Sequence, residues 1–138
     1  MTNRMELSNA YHTYKTNSVT TASPGELTLM LYNGCLKFMN IAKTAIKENN
    51  IEEKNINIIK AQGIIHELMI TLNMDLEVSK NMMSLYDYMH RQLVQANIKN
   101  NIALIEEVEE LVTEFCDTWK QVIQLNRQQQ YGSQGGHA

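Results

Sequence analysis

Helix breakers are scarce in this chain. Proline occurs once, at Pro24, and three of the six glycines lie beyond residue 131. Between Glu26 and Asn126 almost nothing interrupts a helix, and period-two alternation is absent over any useful length, so strands have little support. Basic residues form no block. The 12 Lys and Arg are scattered against 15 Asp and Glu, for a net charge of −3. Neutralising nucleic-acid phosphates requires clustered cations, so that function class is excluded, and an anionic membrane surface is no better a partner. The apolar runs are only a few residues long, whereas a bilayer span needs about 20. Met1 to Val19 is polar without an apolar stretch and is not expected to act as a secretory signal. The two cysteines, Cys35 and Cys116, lie far apart inside helical patterns. They read as buried free thiols, and the chain as a protein of the reducing cytoplasm.

What is present is helix. Ser23-Pro24-Gly25-Glu26 has the form of a helix start: a capping hydroxyl, a proline where its missing N–H costs nothing, and a carboxylate able to reach back to the cap. Four helical patterns follow, over about 24–48, 52–72, 75–98 and 102–126, with asparagines in the turns where glycine is more usual. Each is roughly 30–37 Å long, and links of about two to four residues force neighbours to run antiparallel. The fold class is therefore all-α, an antiparallel up-down four-helix bundle over residues 23–126. Residues 1–22 form a segment lying on or over the bundle. Residues 127–138, rich in Gln and Gly, read as a disordered, flexible tail.

The helices carry more apolar surface than one core face requires. The first has one stripe of Leu27, Met30, Leu31, Gly34, Phe38, Ile41, Ala42 and Ala45, and a second of Leu29, Tyr32, Leu36, Met39 and Ile46. A bundle helix uses about three positions in seven, so the second stripe implies burial against something else. The second and third helices show a smaller surplus. Gly34 and Gly63 permit either close helix approach or a shallow spot for a partner side chain. The methionines suit core gaps or a surface that repacks around a partner. Glu106, Glu107, Glu109, Glu110, Glu114 and Asp117 read as a solvated face, with docking of a basic partner as the alternative.

No catalytic constellation emerges. None of His12, His66, His90 and His137 follows a Glu by three residues, as a di-iron bundle requires, and Asp87-x-x-His90 stands alone. No second His completes a zinc motif after His66-Glu67. Neither histidine context resembles a phosphotransfer site, and no Gly-rich phosphate loop exists. The expectation is a protein that is not an enzyme and takes no cofactor and no metal.

The chain resembles the flagellin-specific secretion chaperone family, the FliS type, from about Tyr11 to Trp119. The resemblance rests on Ala10-Tyr11, Tyr14, Asn17-Ser18-Val19 and Thr21-Ala22-Ser23-Pro24-Gly25-Glu26-Leu27. It continues through Met30-Leu31-Tyr32-Asn33-Gly34, Lys60 to Leu68, Leu85-Tyr86-Asp87-Tyr88-Met89, Leu93-Val94-Gln95-Ala96-Asn97 and Trp119. Asn33 departs from the acidic residue of many members. The resemblance implies a cytoplasmic chaperone of the flagellin C-terminal region, which prevents premature polymerisation and presents the loaded complex to the cytosolic domain of the export-gate membrane protein. It also implies that Tyr11 and Tyr14 belong to an N-terminal segment that client displaces. The candidate partner-binding residues are Tyr11, Tyr14, Val19, Leu29, Tyr32, Leu36, Met39, Ile64, Leu68, Tyr86, Met89 and Leu93. No nucleic acid and no membrane insertion enter this reading. A homodimer is the competing way to bury the surplus, and a phosphorelay bundle is the third reading.

Overall fold

The computed structural model describes the backbone of residues 24–135 and the side chains of 25–129. It contains α1 (Pro24–Lys47), α2 (Ile51–Ile70), α3 (Glu77–Lys99) and α4 (Ile102–Gly135). Pro24 opens α1 at a position that needs no N–H donor.

Paired asparagines build two of the three turns. Asn49 and Asn100 both adopt the left-handed conformation, with φ of 57° and 51°. Asn50 N–H donates to Ala45 O at 2.8 Å and Asn49 N–H to Ile46 O at 3.1 Å, which closes α1 in a Schellman turn. The next asparagine then starts the following helix. Asn50 Oδ1 accepts from Glu53 N–H at 3.1 Å, and Asn101 Oδ1 accepts from Leu104 N–H at 3.3 Å. Asparagine tolerates the left-handed region and supplies a capping oxygen, so two residues can reverse the chain.

Each helix packs against two neighbours: α1 on α2 and α4, α3 on α2 and α4, with the diagonal pairs held apart. Cross-links between adjacent helices show the antiparallel order. Gly25 of α1 meets Trp119 of α4, while Lys43, further along α1, meets Glu109, earlier in α4. Lys54 near the start of α2 reaches the end of α3, donating from Nζ to Asn97 O at 2.8 Å and to Asn100 Oδ1. That ammonium is buried, and it serves as a cationic cap on the last carbonyls of α3. Burial lowers its pKa.

The core runs the length of the bundle. Cys35, Met39 and Ala42 of α1, Ile58, Ala61 and Ile65 of α2, Met89, Leu93 and Ala96 of α3, and Ile105 and Val108 of α4 are fully enclosed. The up-down four-helix bundle is thus the observed architecture. One boundary moves: α4 does not stop at Asn126 but continues to Gly135. Residues 127–135, expected to be disordered, are helical because Arg and Gln are good helix formers and extending an existing helix carries no nucleation cost. The helix start proposed at Ser23, and the segment 1–22, lie outside the described residues.

Candidate functional site

Two of the twelve candidate partner-binding residues, Leu29 and Leu36, are half-buried at the surface. Seven others are interior: Tyr32, Met39, Ile64, Leu68, Tyr86, Met89 and Leu93 are at most 4% exposed. Tyr11, Tyr14 and Val19 lie outside the described residues. The reason for the seven is geometric. Successive helical residues are about 100° apart, so Leu31, Cys35 and Ala42 share one broad arc with Tyr32 and Met39. The two stripes of α1 merge into a single wide core face between two neighbouring helices. In this conformation those seven side chains offer a partner no open surface and support the outer layer from beneath.

The spare apolar surface lies elsewhere. Of the ten large apolar side chains exposed among the described residues, six are Ile70, Met74, Leu76, Val78, Val122 and Leu125. Antiparallel packing brings the end of α2, the 71–76 connection, the start of α3, the start of α1 and the late part of α4 to the same end of the bundle. Val78 is 58% exposed and Leu125 56%, far more than a core position allows. Sequence reading missed this cluster because Ile70, Val78, Val122 and Leu125 look like further apolar positions of their helices, and Met74 and Leu76 fall in the connection between α2 and α3. Their exposure depends on which way each faces at this end: Ile123 and Arg127 of α4 turn to the start of α1, whereas Val122 and Leu125 do not.

The same end carries a cleft between the first turns of α1 and the late part of α4. It encloses about 480 Å³ and is lined by Glu26, Leu29, Lys120, Ile123, Gln124 and Arg127. Two contacts set its walls. Trp119 Nε1–H donates to Gly25 O at 2.7 Å, and a Cβ on Gly25 would stand 3.4 Å from Ile123 Cγ1. Arg127 pairs with Glu26 across the mouth. A second open surface, lined by Gln121, Gln124, Leu125 and Gln128, adjoins the cleft through Gln124.

The titratable groups suit structural roles. Burial pushes the Cys35 thiol up to about 12 and also raises Cys116. Cys35 Sγ faces Ala61 O at 3.8 Å, whereas Cys116 Sγ faces Asn33 Oδ1 at 3.6 Å, so each thiol sits in its own interhelical seam. Burial, then the neighbouring His66, lowers His90. Among the described residues no group of three His, Cys, Asp or Glu is placed to hold a metal ion, and no helix is long and apolar enough to cross a membrane.

Comparison with known proteins gives the family. The profile described as "Flagellar protein FliS" matches residues 7–126. The chain belongs to the FliS family. It is 56% identical over 131 residues to the flagellar secretion chaperone FliS of Bacillus subtilis, covering 95% of this chain and 98% of that one. The Escherichia coli flagellar secretion chaperone FliS is 35% identical over 108 residues, 76% of this chain and 79% of that one. A solved structure described as a flagellar chaperone from bacteria superposes with a TM-score of 0.69 at 18% identity, over 85% of this chain and 97% of that one. That likeness extends the FliS fold assignment and nothing more. The named role of these FliS relatives is that of a chaperone in flagellar secretion.

Proposed function

We propose that this protein is a cytoplasmic export chaperone. It binds the C-terminal region of newly made flagellin, prevents premature polymerisation, and hands the subunit to the cytosolic domain of the export-gate membrane protein. The observation that carries the reading is the apolar end formed by Ile70, Met74, Leu76, Val78, Val122 and Leu125. Its residues come from three helices and a connection, so an amphipathic segment can fold along it, with Leu29 and Leu36 as flanking contacts on α1. Ordering a disordered client offsets part of the contact energy. The resulting modest affinity suits a complex that must later release its cargo.

Mixing the protein with purified flagellin should give a 1:1 complex by multi-angle light scattering, and flagellin lacking its C-terminal segment should elute free. Retained binding by the truncated flagellin overturns this reading. The competing homodimer buries the same end against a second copy, and sedimentation across a concentration series decides between them, a stable monomer removing it.

A further inference from the structure

The cleft beside the apolar end differs from it in chemistry. Its walls are aliphatic, from Leu29 and Ile123, while its rim carries Lys120 and Arg127. Lys120 joins no ion pair or hydrogen bond among the described residues. Arg127 gives one nitrogen to Glu26 and retains its other N–H donors. With Glu26 counted, the rim holds a net positive charge on a chain whose total is −3. The earlier part of α4 is acidic instead, with Glu106, Glu110, Glu114 and Asp117 on exposed positions. The cleft is also short. About 480 Å³ bounded by six residues holds one or two residues of a peptide rather than a helix. Gln124 lines both this cleft and the surface around Leu125, so a segment lying on the apolar end can terminate here.

Resting on the client reading above, we propose that this cleft receives the free C-terminus of the bound segment. Its last apolar side chain lies between Leu29 and Ile123, and its terminal carboxylate faces Lys120 and the unspent donors of Arg127.

The test uses the full chain and a peptide of the flagellin C-terminal region made in two forms, free acid and amide, with affinity measured by titration calorimetry at low salt. The acid should bind about fivefold more tightly, as expected of a charge pair at a partly exposed site. In Lys120→Gln, an exposed substitution, the acid–amide difference should shrink, the remainder belonging to Arg127, and the loss is the coupling of a double-mutant cycle. Equal binding of acid and amide by the native chain overturns the cleft assignment alone. An acid preference that persists undiminished in Lys120→Gln also overturns it, because the carboxylate then sits elsewhere. Failure of both forms to bind removes the client reading and this site with it.

Discussion

The Oη atoms of Tyr32 and Tyr86 lie 2.6 Å apart, although α1 and α3 stand at opposite corners of the bundle. The bond spans the diagonal of an otherwise apolar core. Phe115 of α4 packs beside both rings, with centroids 6.2 Å from Tyr32 and 5.6 Å from Tyr86. Burial raises both phenol pKa values, so the pair stays neutral and one hydroxyl donates to the other.

Removing one hydroxyl leaves its partner buried and unsatisfied. Tyr32→Phe or Tyr86→Phe alone should each lower stability by about 1–2 kcal/mol, while the double substitution should cost less than the sum of the two. Urea unfolding of the four proteins measures this. Additive losses would mean that the hydroxyls do not act as a pair.

The α3–α4 seam makes stability depend on acid. Glu107 Oε1 accepts from Tyr88 Oη at 2.5 Å and from Gln92 Nε2 at 3.1 Å, and these bonds hold its carboxyl below the usual range. A lowered folded-state pKa gives stability that is present above the unfolded carboxylate value and is lost as the pH falls through the folded one. Tyr88→Phe should raise the Glu107 pKa, read by side-chain carboxyl NMR, and flatten this part of the acid limb of the stability profile. An unchanged titration would show that the phenol does not hold the carboxylate.

Neither thiol should react in the folded protein. Cys35 and Cys116 are both buried, and burial raises both pKa values, that of Cys35 to about 12. The thiolate that reacts is therefore scarce as well as shielded. Ellman's reagent should detect two thiols only after denaturation, and rapid release of colour from native protein would contradict the packing described here.

Core and client surface should separate by mutation. Leu31 is 4% exposed in the core, so Leu31→Asp buries an unpaired charge and should cost about 4 kcal/mol or more. Val78→Asp and Leu125→Asp, on open positions, should change stability by only about 0.5 kcal/mol yet weaken flagellin binding at least tenfold. Thermal unfolding beside a binding titration decides this, and intact binding by both surface variants would move the client site away from the apolar end.

The helices themselves were legible because their cause is local. A chain with one proline and few glycines before its tail has nowhere to stop a helix except at Asn49-Asn50, near Asn73 and at Asn100-Asn101. Those asparagines act through their own backbone and side-chain oxygens. Short links then impose antiparallel neighbours. The end of α4 was harder to read, since Gln-rich composition suits a flexible tail as well as a helix. Only continuity with the packed turns before it carries the helix past Asn126.

The site was less legible, and Tyr32, Met39 and Val78 show why. Periodicity in one helix reports which residues are apolar and at what angle, so a wide stripe signals surplus without saying which edge stays uncovered. That edge depends on where neighbouring helices begin and end. Packing between α2 and α4 encloses Tyr32 and Met39 at the centre of the α1 face. Val78 stays in water in the first turn of α3, and Leu125 stays there because α4 turns Ile123 and Arg127, not Leu125, to the start of α1. Helix content, turn positions and family membership follow from the order of residues, because capping, propensity and spacing act within a few positions. The location of the open apolar end, the cleft at Lys120 and Arg127, and the diagonal tyrosine bond belong to the tertiary structure, because each requires side chains distant in the chain to meet or fail to meet.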